Sequence, residues 1–319
     1  MTSFALAASL TACGSTSNSS EPKALDEVKV GAIQLAEHPA LDKAYEGFKD
    51  ALVEAGVSED QIDFQNAQGD QSNCETIATK FVNDGDDLIY AIATPAAQAV
   101  AGKTDEIPVV VSAVTDPAGA GLVESNEAPG TNVTGASDMN PIEEQIDLLT
   151  QLVPDAKKVA IMYCSSEDNS IVQAQLAEKA LKDKGIEVEH ATVSESNQIS
   201  QVTESLVGKV DAIYIPTDNM LAEGMSQVAA IANENKLPTI VGESNMCENG
   251  GLATYSIDYY ELGKMAGEMA VEILKGEKPS EMAIQYQDAA NLQLYINKKV
   301  ADQLGVEIPE DLSAEAEVF

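Results

Sequence analysis

From Val28 onward, short apolar runs alternate with longer segments whose apolar residues recur at helical spacing. The first pattern predicts buried strands and the second amphipathic helices. Strands are expected over Val28–Leu35, Gln61–Ala67, Asp87–Ala93 and Ile107–Val114. Helices fall between them over Leu41–Ala55, Ser72–Asn83 and Pro95–Ala101, where Ala, Lys and Glu are frequent. The same order then recurs. Lys158–Tyr163, Ile186–Val193, Val210–Ile215 and Leu237–Val241 read as strands, with helices over Asp168–Lys184, Asn197–Val207 and Asn219–Asn235. Such alternation builds right-handed βαβ units and parallel sheets covered on both faces.

The recurrence extends to individual residues. Asp87-Leu88-Ile89-Tyr90 matches Asp211-Ala212-Ile213-Tyr214, and Ile107-Pro108 matches Leu237-Pro238. Gly119-Ala120-Gly121-Leu122-Val123 matches Asn249-Gly250-Gly251-Leu252-Ala253. Thr134 and Asp138 match Thr254 and Asp258, each followed by an amphipathic helix. The period is too long for a solenoid. Two α/β lobes are expected, each a doubly wound parallel sheet, joined by a hinge and facing each other across a central cleft. The chain is expected to cross between them at Val133–Asp138, at Ala253–Asp258 and within Ala283–Leu294. Residues 28–135 with 259–284 then form the first lobe, and 136–258 with 285–319 the second.

Ahead of the lobes, an apolar run closes on Leu10-Thr11-Ala12-Cys13-Gly14 and opens into Ser/Thr/Asn-rich sequence. An apolar segment, small residues and a thiol are what bacterial lipoprotein processing requires, so the stretch resembles a lipobox with Cys13 as the lipidation site. Residues 1–27 are expected to be a signal segment and a flexible tether containing Pro22. No apolar run approaches the ~20 residues of a membrane span. A diacylglyceryl group on Cys13, with its two chains, would supply a stable anchor outside the cytoplasmic membrane.

Charge narrows the ligand classes. The 319 residues carry 53 acidic and 18 basic side chains, a formal net charge of −35, and every basic residue is Lys. Nucleic acid is excluded, because phosphate neutralisation needs a basic face. With no Arg, a ligand carboxylate must be met by helix N-termini, hydroxyls or Lys. Beyond Cys13, the scattered Cys74, Cys164 and Cys247 make neither a disulfide framework nor a zinc site, and two histidines are too few for an imidazole metal site. No cofactor or metal is implied.

Ligands of open α/β sheets bind where strand carboxyl ends lead into helix N-termini. The first lobe offers Gln34, Glu37 and His38, then Thr94-Pro95-Ala96, then Thr115 and Asp116. The second offers Ser165, Ser166 and Asn169, then Thr217, Asp218 and Asn219, then Glu243 and Ser244. Thr94-Pro95-Ala96 has the form of a capping hydroxyl followed by proline at the first helical position. The N–H groups behind it suit a carboxylate. Asp116, Asp218 and Glu243 are candidates to pair with a ligand ammonium, although each could equally be a helix cap. Glu37-His38-Pro39 invites an acid–base reading. No G-x-S-x-G or phosphate-binding glycine loop accompanies it, so His38 is expected to bind or gate rather than catalyse.

At these loops the chain resembles the substrate-binding lipoproteins of ABC importers, in the branch associated with tryptophan and other aromatic amino acids. The residues carrying the likeness are VGAIQLAEHPALD at 30–42, DFQNAQGDQSN at 63–73 and AIATPAAQA at 91–99. SAVTDPAGAGLV at 112–123, YIPTDN at 214–219 and ATYSIDYYELG at 253–263 extend it. The resemblance implies a type I periplasmic-binding fold, hinge closure over a small ligand, and delivery to an ABC permease in the membrane. It implies a monomeric, non-catalytic receptor. On this chain Thr94, Ala96 and Ser165 would hold the ligand carboxylate, Asp116 or Asp218 would take the amine, and Tyr163 could line a ring pocket. A receptor of the same fold for a nucleoside or a branched-chain amino acid is the alternative. An extracellular enzyme using Glu37 and His38 is the less favoured one.

Overall fold

The computed structural model describes residues 23–288 and 291–319, so Cys13 lies outside the described residues. The first lobe runs β1 (Val30–Gln34), α1 (Pro39–Ala55), β2 (Ile62–Asn66), α2 (Gln71–Asp84), β3 (Leu88–Ile92), α3 (Thr94–Ala101), β4 (Val109–Ser112) and β5 (Val133–Ser137). The second runs α4 (Ile142–Leu152), β6 (Lys158–Cys164), α5 (Asp168–Asp183), β7 (Glu187–Val193), α6 (Ile199–Leu206) and β8 (Ala212–Ile215). It continues through α7 (Asn219–Glu223), α8 (Met225–Glu234), β9 (Thr239–Val241), α9 (Ser244–Glu248) and β10 (Ala253–Ser256). The chain then returns with α10 (Tyr259–Leu274) and β11 (Gln285–Tyr286), and ends in β12 (Gln293–Ile296), α11 (Lys298–Leu304), α12 (Glu310–Glu315) and β13 (Glu317–Val318).

The first sheet is ordered β11-β5-β4-β3-β1-β2 and the second β13-β12-β10-β9-β8-β6-β7. Both cores follow the doubly wound 2-1-3-4-5 order. In each lobe the first strand is flanked by the second and third, with parallel register: Val30 pairs with Ile62 and Leu88, Val159 with Val188 and Ala212. The strands VGAIQ and LIYAI are buried at every position, as strands covered on both faces must be. Against this parallel background β12 runs antiparallel to β10 and carries the two-residue β13 on its outer edge.

Local sequence explains most boundaries. α1 starts on Pro39 in the first helical turn and stops at Gly56, whose φ of 108° supplies the left-handed C-terminal residue. The helix expected over Asn219–Asn235 is instead two, α7 and α8, broken at Gly224. There the chain presses onto the Ile199 side chain so closely that even a methyl would collide. The helix expected from Asn197 begins as a 3₁₀ turn at Ser196–Gln198 before α6. The first crossing follows Ser137 rather than 135, because β5 extends to Ser137, its last two residues pairing with β11. The third follows Tyr286, because Gln285 and Tyr286 pair with Ala136 and Ser137 of the first sheet.

α10 leaves the second lobe and packs along α1 of the first. Gly47 and Gly263 lie where the two helices touch. A Cβ at Gly47 would lie 2.0 Å from the Tyr260 carbonyl oxygen, and one at Gly263 1.9 Å from that of Ala44. Backbone meets backbone here, so no side-chain movement can relieve an added methyl. Gly263→Ala is expected to destabilise the fold by about 2–3 kcal/mol through overpacking. Urea unfolding measures this, and an unchanged midpoint would refute the close approach.

Candidate functional site

In an open α/β sheet the ligand crevice lies beside the first strand, where the strand order reverses. That rule selects the ends of β1 and β3 in one lobe and of β6 and β8 in the other. The first pair brings Gln34, Glu37, His38 and Thr94; the second brings Ser165, Ser166, Asn169, Thr217, Asp218 and Asn219. The backbone is re-aimed at this rim by two alanines with positive φ, Ala93 at 83° and Ala113 at 52°. Ala93, with ψ 150°, sits in a region that glycine normally occupies. The two are linked through their strand ends, where the Ala93 N–H donates to the Ser112 carbonyl.

Buried polar atoms rarely go without a partner, so the exceptions mark places where something is missing. Among the described residues, eight buried side-chain polar atoms lack a hydrogen bond. Five of them lie on the crevice loops: Gln34 Oε1, His38 Nδ1 and Nε2, Thr94 Oγ1 and Asn169 Oδ1. The first four belong to the first lobe and the last to the second, which places unmet donors and acceptors on both walls. Burial lowers the His38 imidazole to about 4, against smaller opposing pulls from Asn219 and Asp42, so the ring is neutral at physiological pH. Asn219 is its polar neighbour on the facing lobe, without a hydrogen bond of normal geometry.

Carboxylates in the second wall are differently placed. Asp218 Oδ1 accepts from the Leu221 N–H at 2.8 Å and Oδ2 from the Cys164 N–H at 2.5 Å. Glu243 caps α9, with Oε1 accepting from Met246 N–H and Oε2 from Asn245 N–H. Glu167 reaches across to the start of α7, accepting from the N–H groups of Asn219 and Met220 and from the Asn219 and Asn169 carboxamides. Burial pushes Glu243 up to about 7. Burial also raises Asp218, and the Glu167 charge adds to it.

Behind the crevice, the hinge is a closed polar network. Asp138, in the first crossing, accepts from Thr115 Oγ1 at 3.0 Å and from the Tyr259 hydroxyl at 3.2 Å. Burial pushes its carboxyl up to about 6. Asn140 donates to Thr217 Oγ1 and accepts from the Ile257 N–H, tying the first crossing to the second. Gln287 and Asp258 exchange bonds between the second and third crossings. Across the rim, Gln98 of α3 donates to Asp168 of α5 at 2.8 Å, so the lobes touch on both sides of the crevice.

The sequence of residues 29–319 matches the model of the ABC transporter substrate binding protein family. The chain belongs to that family. A tyrosine-binding protein from Clostridioides difficile is 44% identical over 284 residues, covering 86% of this chain and 82% of the relative. A structure described as an ABC domain in complex with L-Trp, from Streptococcus pneumoniae, superposes with a TM-score of 0.88 at 41% identity, covering 91% of this chain and 99% of that one. A ligand-free, open substrate-binding protein with adhesive properties from Clostridium difficile gives 0.70 at 42% identity, covering 92% and 99%. In this conformation the two lobes are joined by hydrogen bonds from Gln98 to Asp168 and from Gln173 to Thr115.

The expected residues divide into three groups. Gln34, His38, Thr94 and Asn169 present unpartnered atoms; Ala93 rather than Thr94 takes the N-cap position of α3, so Thr94, Pro95 and Ala96 form its first turn and the Thr94 hydroxyl caps nothing. Thr115, Thr217, Asp218, Asn219 and Glu243 are engaged within the protein, and the Ser244 N–H donates to Ser256. Glu37 is exposed, and Asp116 is half-buried and accepts from Asn126. Ser165 is exposed and donates to the Val193 carbonyl, while Ser166 contacts Cys164. α5 starts at Asp168, as expected, with Glu167 rather than either serine in the N-cap position. Tyr163 packs edge-on against His190. Sequence reading overlooked Glu167, Gln173 and Asn140. Gln173 Nε2 donates to the Thr217 carbonyl, and its Oε1 accepts from the Thr217 N–H. These residues act between elements far apart in the chain, and only Asn140, close after Asp138, carried a local signal.

These protonation shifts set the sign of the pH dependence. Asp138, Asp218 and Glu243 hold protons more tightly folded than unfolded, so stability falls as pH rises from about 4 to about 7. His38 acts oppositely, losing stability as pH falls from 6.5 to about 4. Three carboxyls outweigh one imidazole. The Tm by calorimetry is therefore expected to be several degrees higher at pH 5.5 than at pH 8. A lower value at pH 5.5 would contradict the assignment.

Proposed function

We propose that the protein binds a free aromatic amino acid between its lobes and passes it to an ABC permease. The observation that carries this reading is the set of unpaired polar atoms on the facing loops of the two lobes. Its relatives add the ligand class, since one is a tyrosine-binding protein and another was solved with L-Trp. A zwitterion fits the chemistry. The Thr94 hydroxyl and the first-turn N–H groups of α3 suit a carboxylate, which needs no Arg. The remaining acceptors suit an ammonium.

Catalysis finds no support at the same site. His38 is neutral and buried, whereas Glu37 is exposed, so the pair does not form a relay. The ligand contacts would be Gln34, His38, Thr94, Ala96 and Asn169, with Asn219 closing over from the second lobe. The receptor is read as a monomer working outside the cytoplasmic membrane, held there by lipid on Cys13.

Isothermal titration with the twenty common amino acids tests the ligand. Tyrosine, tryptophan or phenylalanine is expected to bind at micromolar Kd or tighter, and Thr94→Val to weaken that ligand about tenfold. Binding confined to sugars, nucleosides or aliphatic amino acids would overturn the reading. Location is tested by expressing the full chain and its Cys13→Ala variant in a bacterium that processes lipoproteins. The parent is expected in the membrane fraction and the variant in the soluble extracytoplasmic fraction. Identical partitioning of the two would rule out the anchor.

A further inference from the structure

Two carboxamides at the cleft are held in a way that dictates what they can bind. Gln34 is fully buried, and its Nε2 donates to the Ala36 carbonyl and to Asp42 Oδ1, each at 2.7 Å. Both N–H bonds are thereby taken up, which fixes the orientation of the amide and leaves Oε1 buried with no donor. Asn169, on the facing lobe, repeats the arrangement. Its Nδ2 lies 3.3 Å from Glu167 Oε2, 3.3 Å from the Thr217 carbonyl and 3.2 Å from Ser170 Oγ, while Oδ1 is buried and unpartnered. Flipping either amide would set its oxygen against a carboxylate and a carbonyl. Each lobe therefore presents one oriented carbonyl oxygen that only a donor can satisfy.

The acids that might otherwise receive a ligand amine are engaged. Asp218, Glu243 and Glu167 accept from the N–H groups of helix N-termini, and Asp138 accepts from Thr115 and Tyr259 in the hinge. Asp116 accepts from Asn126 within its own lobe. An ammonium carries three donors and no acceptor, so two of them match the two carbonyls. A ligand carboxylate would be repelled by the same two carbonyls.

We propose that the ligand's ammonium group is recognised by two neutral carbonyl oxygens, Gln34 Oε1 from the first lobe and Asn169 Oδ1 from the second, with no carboxylate in contact. This rests on the amino-acid reading above and assigns the role of the amine within it. A group held from both walls binds the closed state better than the open one, so the amine drives closure.

The test is a ligand–variant cycle using L-tyrosine and 3-(4-hydroxyphenyl)propionate, its analogue without the amine, titrated into wild type and Gln34→Met. Wild type is expected to bind L-tyrosine at least about a hundredfold more tightly than the analogue, two charged-group hydrogen bonds being lost together. Gln34→Met is expected to weaken L-tyrosine about tenfold to a hundredfold and to leave the analogue's affinity within about threefold. Equal binding of the two compounds by wild type overturns the proposal without any variant. Equal weakening of both by Gln34→Met also overturns it, because the carbonyl then does not sense the amine. Should wild type bind none of tyrosine, tryptophan and phenylalanine, the parent reading fails first, and the amine assignment falls with it.

Discussion

A carboxylate taken out of water must find donors, and around this cleft the donors are mostly the N-termini of helices. Isolated, each buried charge would cost many kilocalories. Helix N-termini supply both unpaired N–H groups and a positive dipole end, so they can hold such a charge in place. Asp218 and Glu167 converge on α7 and Glu243 on α9. The second wall of the cleft is organised by these caps. Removing one would leave a helix start unsatisfied and its neighbours unsupported. The same constraint explains why the polar atoms left for a ligand are mostly neutral: carbonyls, a hydroxyl and an uncharged imidazole.

Closure has to be nearly balanced for a receptor to work, since a ligand shifts the equilibrium only by its differential affinity for the two states. The lobe-to-lobe bonds here are few. Gln98 to Asp168 lies at the rim and is partly exposed, and Gln173 reaches Thr115 only at 3.5 Å. Hydrogen bonds of this kind contribute about 1 kcal/mol each. The unpaired atoms on the walls oppose that gain, because desolvating a polar atom without a partner costs a comparable amount. A ligand that pairs those atoms removes that cost and so favours the arrangement in which both walls contact it. The crossings by contrast carry a paired polar network, with Asp138 accepting from Thr115 and Tyr259 and Asn140 accepting from the Ile257 N–H.

The architecture was legible because it is repetitive and locally encoded. Strand runs such as Leu88–Ile92 and Ala212–Ile215 announce themselves by continuous burial, and the residue-by-residue recurrence revealed two lobes before any contact was known. The break at Gly224 was not legible, since it depends on Ile199 arriving from another helix. The candidate site was readable in its loops but not in its roles. Ser165 and Ser166 look like a cap, yet α5 begins beyond them, and Glu167 serves a helix more than fifty residues later. Asp218 and Glu243 were open between cap and ligand partner. Which of the two roles applies depends on where backbone N–H groups end up in space, and no sequence pattern records that.

The absence of Arg and the charge of −35 become one statement once the cleft is described. Exposed acids are screened beyond a Debye length of about 8 Å at physiological salt, so most of the surface charge does not reach the cleft. The buried acids are not screened in this way, and they make the second wall inhospitable to an anion. A ligand with a carboxylate must therefore bring its own compensating positive charge. In the proposed binding mode an amino acid does so, with its carboxylate at the α3 N-terminus and its ammonium facing the carbonyls. An aromatic acid without the amine would enter the same cleft with a carboxylate that only the α3 N-terminus offsets. Selection for the zwitterion thus follows from which charges the fold has already satisfied.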